Sequence, residues 1–235
     1  MSVALIQGTI SSLWAQVPGN FLKGKLIYAN SLSDSGQLQD WVMEGPGRLS
    51  FSDGWMDMYS PNKKWDHVLW CPADFPESFI AEWDLQNREI QEGLVIIFFA
   101  AKGAGNRDIF DKSMPARDGT FKYYNRGEMN CYHISYYANN PKLPDRGNSH
   151  LRKDPSFALL QTGAEGIPAK STGIHHVCLI KKQGRIVMYV DNNKIIDYND
   201  EGKENGPVYG AGKIGFRQMR WSHFRYRDFK VWNLK

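Results

Sequence analysis

Apolar and polar residues alternate in short runs along most of the chain, and few windows repeat at helical spacing. Successive side chains of a strand point to opposite faces, so a period of two marks a half-buried strand. Ser78-Phe79-Ile80-Ala81-Glu82-Trp83-Asp84-Leu85-Gln86 is the clearest case. Phe79, Ala81, Trp83 and Leu85 share one face; Ile80, Glu82, Asp84 and Gln86 share the other. The same pattern predicts strands over Lys25–Ala29, Trp41–Met43, Arg48–Ser52, Trp55–Tyr59, His67–Cys71, Phe79–Gln86 and Leu94–Ala100. It continues over Cys131–Tyr137, Phe157–Gln161, Ile174–Lys181, Arg185–Val190, Lys194–Tyr198, Lys213–Met219 and Phe224–Trp232. Ser52-Asp53-Gly54, Lys182-Gln183-Gly184 and Asp191-Asn192-Asn193 supply turns between them. Val95-Ile96-Ile97-Phe98-Phe99 is apolar on both parities, as a strand covered on both faces requires.

Evenly spaced strands with tight turns predict an all-β sandwich or jelly roll, read as a single domain over residues 1–235. Two stretches read as loops instead. Lys102 to Asn130 is rich in Gly, Asp, Arg and Pro; Ala138 to Pro155 carries three prolines and the basic step His150-Leu151-Arg152-Lys153. Both flank the Cys131–Tyr137 strand, so they are expected to rim one groove.

Hydrophobic residues make up 42% of the 235, which suffices for a core, and aromatics make up 13%, a surplus suited to stacking on sugar rings. The net charge is only +4, too small with no recognition motif for nucleic-acid binding. Its placement is uneven. From Lys213 to Lys235 seven basic residues stand against Asp228 alone, a local +6 that favours anionic ligands. Cys71, Cys131 and Cys178 are far apart without metal-like spacing, and a reducing compartment fits them. The N-terminal Met1–Gln7 stretch lacks a basic region and a long apolar core, so a cytoplasmic address is expected unless a signal peptide has been removed. Leu94–Ala101, the longest apolar run, is too short to cross a membrane.

Glu82 and Asp84 lie a two-residue step apart, ~6–7 Å on a strand, near the separation of paired glycosidase carboxylates. Sandwich glycosidases of the laminarinase type carry a third carboxylate one step further, where this chain has Gln86. His133, Ser135 and Tyr137 share a face if Tyr132, Ile134 and Tyr136 turn inward; the opposite assignment stays open. A face of that kind suits β-elimination from a uronate. Arg152, Lys153, Arg217, Gln218 and Arg220 are candidates to neutralise the carboxylate, while His133 removes the adjacent proton and Tyr137 protonates the leaving oxygen. Tyr132, Trp221 and His175 complete the candidate contacts, and the concave side of one curved sheet is expected to gather all these groups, Glu82 and His133 together. A lone histidine is more often structural than catalytic, and of His175-His176 one must face inward. Asp191-Asn192-Asn193 reads as a hairpin turn rather than a calcium loop. No cofactor is expected, a structural calcium ion aside.

With these residues in hand the chain resembles the YesU-like family, domain of unknown function 1961. The resemblance rests on Phe98-Phe99-Ala100-Ala101-Lys102-Gly103, Asp108-Ile109-Phe110-Asp111 and Asn130-Cys131-Tyr132-His133-Ile134-Ser135-Tyr136-Tyr137. It continues in Leu151-Arg152-Lys153, His175-His176 and Gly212-Lys213-Ile214-Gly215-Phe216-Arg217-Gln218-Met219, and spans the chain from about Trp41 to its end. It implies a concanavalin-A-like β-sandwich (jelly roll) of two curved antiparallel sheets. It also implies a bacterial setting of acidic polysaccharide breakdown, with rhamnogalacturonan the usual association. The stretch from Ile214 to Phe229 is similar to the closing pattern of the 3-keto-glycoside hydrolases, with Met219 in place of their histidine. The expected function is therefore an enzyme acting on an acidic oligosaccharide or polysaccharide by elimination or hydrolysis. The alternatives are a non-catalytic carbohydrate-binding module and a 3-keto-glycoside hydrolase-like enzyme.

Overall fold

The structure is a computed structural model and describes residues 16–140 and 147–235. The reading of Met1–Gln7 and the middle of the Ala138–Pro155 stretch lie outside the described residues. The first strands are β1 (Gln16–Val17), β2 (Phe21–Asn30), β3 (Val42–Glu44), β4 (Arg48–Ser52), β5 (Trp55–Tyr59), β6 (His67–Trp70), β7 (Ser78–Asn87) and β8 (Gly93–Gly103). After the short helix α1 (Lys122–Asn125) come β9 (Met129–Asn139), β10 (Asn148–Asp154), β11 (Ala158–Glu165) and β12 (Ile174–Lys182). Then follow β13 (Arg185–Val190), β14 (Asn193–Asn199), β15 (Lys213–Gln218) and β16 (His223–Leu234).

They form two antiparallel sheets. The nine-stranded sheet runs β1-β2-β16-β7-β12-β13-β14, with β5 paired to β16 and β4 to β5. The seven-stranded sheet runs β11-β10-β9-β8-β15-β6-β3. The last two strands of the chain are central: β15 lies between β8 and β6, and β16 between β2 and β7.

Alternation dictates what fills the space between the sheets. Phe79, Ala81, Trp83 and Leu85 of β7 point inward and are fully buried, with Val177 and Leu179 from β12 and Phe224, Tyr226, Phe229 and Val231 from β16. The seven-stranded sheet answers with Val95, Ile97 and Phe99 of β8, Tyr132 and Ile134 of β9, and Ile214 and Phe216 of β15. Phe216 sits at the junction. It stacks on Trp41 at 6.1 Å and meets Trp83 and Phe229 edge-on at 5.5 and 5.3 Å.

The Asp191–Asn192 turn has positive φ at both residues (49° and 66°) and joins β13 to β14 as a two-residue hairpin. Two sequence readings need correction. Asn148–Asp154 is a strand rather than loop, paired to β9 and β11. Its basic residues hid the alternation because an inward one, Lys153, is buried and paired to Asp200 at 2.7 Å. Tyr137 does not share a face with His133. A bulge lets Val95 pair with Tyr137 but Ile96 with Ser135, so Tyr136 is the extra residue and both tyrosines enter the core.

Replacing Phe216 by Ala removes a ring that packs against both sheets at once. The expected loss is ~3–5 kcal/mol, read as a lower midpoint in urea unfolding with an unchanged slope. A loss under about 1 kcal/mol would show that the seam repacks freely.

Candidate functional site

The sandwich has two outward faces, and the predicted carboxylates and imidazole divide between them. Glu82 and Asp84 are on β7 in the nine-stranded sheet, whereas His133 is on β9 in the seven-stranded sheet. The expectation that they share one groove is not met, because parity fixes a face within a sheet but not which sheet a strand joins.

The outer face of the seven-stranded sheet is closed by its own chain. Residues 104–128 fold over it as a flap. Ile109 and Tyr124 pack with Val68, Trp70, Ile96, Phe98 and Cys131, and Phe98 stacks between Trp70 (5.6 Å) and Tyr124 (5.5 Å). Glu44 on edge strand β3 accepts hydrogen bonds from Arg117 (2.6 Å), Tyr124 (2.8 Å) and Trp70 (2.9 Å). Arg217 donates to the Gly119 carbonyl (2.8 Å) and to Asp66 (3.0 Å) while its guanidinium lies 4.6 Å from the Phe121 ring. It is fully buried. The predicted anion ligand is thus a fastener for the flap. The flap touches backbone at Gly119, φ +90°, where a Cβ would sit 2.1 Å from the Asp66 carbonyl oxygen.

Beneath the flap, His133 Nδ1 meets Asp154 Oδ2 at 2.5 Å, and the Cys131 thiol lies 3.6 Å from the same oxygen. The imidazole is enclosed by Phe98, Phe121 and Phe157. Arg152, directly opposite His133 in the register, stacks on Phe157 at 4.0 Å and donates to its carbonyl. Phe157 and Arg152 are half-buried, so this group meets solvent at its edge.

Other predicted contacts face elsewhere. Tyr132 and Lys153 point between the sheets, both bonded to Asp200. Tyr137 shares its hydroxyl between Asn87 and the Ala169 carbonyl. Gln218 meets the Tyr226 hydroxyl at 2.9 Å inside the core. Arg220 and Trp221 form the turn between β15 and β16, where the guanidinium covers the indole at 4.5 Å. His175 is buried against Ser171 and Asp191.

The outer face of the nine-stranded sheet is covered toward one end, where Val17 packs with Ile80, Cys178, Ile180, Val187 and Tyr189, and open toward the other. Arg227, Asp84 and His176 lie directly opposite one another on β16, β7 and β12. Arg227 Nε donates to Asp84 Oδ2 at 3.1 Å, and His176 Nδ1 meets Asp84 Oδ1 at 2.8 Å. One step along, Arg225 donates to Gln86 at 2.6 Å. Both guanidiniums lie over the Trp55 ring, at 4.5 and 4.2 Å. In the other direction Glu82 accepts from Lys23 at 2.6 Å, and Lys23 covers the Trp232 ring at 4.0 Å. The row is ordered by mutual bonds, yet His176 keeps 49% of its side chain in solvent and Arg227 35%. Of these groups the sequence singled out only the carboxylates; the His175-His176 pair was the signal, with the outward member being His176.

The electrostatics follow from the pairing. His176, then Arg227, hold the Asp84 carboxyl below its ordinary value, and Asp84 raises His176 above 6.5. Asp84 is therefore held as a carboxylate, suited to accept a proton rather than donate one. Among the described residues no cluster of His, Cys, Asp and Glu is arranged to hold a metal ion, and no helix is long and apolar enough to cross a membrane.

Comparison with known proteins fits this architecture. The family model described as "Domain of unknown function (DUF1961)" matches residues 25–231. The chain is 35% identical over 215 residues to "Uncharacterized protein YesU" of Bacillus subtilis (strain 168), covering 90% of this chain and 97% of that one. It superposes with a TM-score of 0.87 and 34% identity on a protein of unknown function with galectin-like fold from Bacillus subtilis, over 91% of this chain and 98% of that one. The carbohydrate-binding module CBM66 from Bacillus subtilis shares the sandwich at a TM-score of 0.53 and 12% identity, over 83% and 96% of the two chains.

The ion pair sets a pH window for this face. His176, raised, contributes stability below about 6.5 that is lost as pH climbs through its folded value; Asp84, lowered, contributes above its unfolded value, lost as pH falls through the folded one. An NMR titration of the His176 ring is expected to give a midpoint above 6.5 that falls in Asp84→Asn. An unmoved midpoint would dissolve the pairing.

Proposed function

The chain belongs to the DUF1961 family, and from that premise we propose that it binds saccharide through the open row on the nine-stranded sheet. One observation carries the reading: Arg225, Gln86, Arg227, Asp84 and His176 present planar donors and acceptors already held in place by mutual hydrogen bonds, the two guanidiniums lying over Trp55. Sugar hydroxyls need such groups in fixed geometry, since a preorganised site loses little side-chain entropy on binding. The likeness to a carbohydrate-binding module supports the same reading at the level of the sandwich. Lys23, Arg225 and Arg227 outnumber Glu82 and Asp84, and His176 adds positive charge as it protonates, so the row favours a sugar that carries a carboxylate. The ligand class is an acidic oligosaccharide, with neutral glycans bound less tightly.

Calorimetric titration with trigalacturonate and with cellotriose tests this. Trigalacturonate is expected to bind more tightly, and Arg227→Ala or Asp84→Ala to weaken it about tenfold or more, the worth of one charged hydrogen bond. Affinity should fall as pH rises through the His176 midpoint. Equal binding by wild type and both variants would sink the proposal.

A second reading, uronate β-elimination, draws on the buried Asp154–His133 pair beside Arg152. Asp154 would orient the imidazole, whose free nitrogen takes the proton adjacent to the carboxylate as the glycosidic C–O bond breaks; water protonates the leaving oxygen, and the imidazolium returns its proton to the hydroxide so formed. Incubation with trigalacturonate is then expected to give the ultraviolet absorbance of a new double bond, lost in His133→Ala. A flat wild-type trace would leave binding as the activity.

A further inference from the structure

We propose that a cavity at one end of the sandwich is a second ligand site, built for a small sugar acid. It shares no residue with the open row and does not depend on that reading. Its volume is about 320 Å³, lined by Ala100, Lys102, Gly105, Asn106, Asn130 and the loop 207–211. That is room for one or two sugar rings, at the small end of ligand pockets.

The cavity owes its chemistry to a β-bulge. Phe99 pairs with Tyr132 and Lys102 with Asn130, so Ala100 and Ala101 of β8 together oppose Cys131 of β9. An extra residue on one strand flips every side chain beyond it. Phe99 and Tyr132 face between the sheets. Without the bulge Lys102 would point to the outer face. With it, Lys102 stands beside Asn130 on the inward side, where the two sheets part. Ala100 adopts a left-handed φ of 52° to make the bulge, a conformation unfavourable for any residue but glycine. Strain of that kind persists only where the surroundings hold it. Gly212 does so: its backbone exchanges hydrogen bonds with Phe75, and a Cβ on it would lie 2.5 Å from the Ala100 carbonyl carbon.

The lining polar groups are available. Among the described residues, the carboxamides of Asn106 and Asn130 make no hydrogen bond. Lys102 donates to one side chain, Asp74 at 2.9 Å, and also draws on the Asp108 carboxylate; Asp74 is 45% exposed and lies 3.5 Å from Lys213 as well. A carboxylate entering the cavity meets the Lys102 ammonium, and hydroxyls on the same ring meet the two amides. The Tyr209 ring closes the wall, its own hydroxyl bonded to the Asp154 carbonyl.

The test is an NMR titration with D-galacturonic acid, with D-galactose as the neutral control. Galacturonic acid is expected to shift the amides of residues 100–106 and 209–211, and to bind about tenfold or more tightly than galactose. Lys102→Gln and Asn130→Ala should each weaken it by a similar factor. Ala100→Gly, which relaxes the left-handed residue without altering the lining groups, should keep the affinity and raise the melting temperature. Arg227→Ala should change nothing here. The site is overturned if galacturonic acid shifts none of these amides at millimolar concentration, or if its affinity survives both Lys102→Gln and Asn130→Ala. Loss in Arg227→Ala alone would also overturn it, by assigning the sugar acid to the sheet face.

Discussion

The aromatic seam between the two sheets is the constraint from which the rest follows. Phe216, Trp41, Trp83 and Phe229 interlock at ring separations of 5.3 to 6.4 Å, contributed from both sheets. Burying such rings is worth several kcal/mol each and is not tolerant of a register slip, because a one-residue shift would turn the whole set to water. Once the seam is fixed, every neighbouring strand has an assigned inner parity. The polar residues of β7, β12 and β16 are then forced to the outside, where they meet directly opposite one another and form the open row.

Legibility in the sequence tracked that constraint. At β7 the alternation runs unbroken, and both the inward apolar set and the outward Glu82, Asp84 and Gln86 could be read directly. At β9 the reading failed after Ser135 because the bulge is a property of two strands together and leaves no mark in either alone. The grouping of Glu82 with His133 failed for a related reason. Strand order within a sheet is a long-range fact, and neither residue's neighbours in sequence carry it. His175-His176 was half legible: adjacency requires opposite faces, but which histidine turns outward depends on His176 pairing with Asp84 ninety-two positions away. The basic surplus near the chain end was also half legible. Arg225 and Arg227 line a surface as its charge suggested, while Arg217 is sealed.

The buried charges mark where loops are fastened. Glu44, Arg217 and Lys153 each pin one segment in place: the flap in the first two cases, the loop carrying Gly206 in the third. Burying such groups costs desolvation, and the return is chiefly positional, since a charge with several directional partners has one place to sit. The flap's exact closure over His133 therefore rests on polar bonds to β3, β15 and the turn before β6 rather than on packing alone.

The central positions of β15 and β16 have a consequence for how the molecule comes into being. Every other strand is made before them, yet both sheets lack a middle until they arrive. A nascent chain emerging from the ribosome can form hairpins such as β13–β14 but has no complete sheet to close around, and its unpaired inner edges at β7 and β8 stay open. The domain is thus an all-or-none assembly: β15 and β16 are its keystone, and no fragment that lacks them holds both layers together.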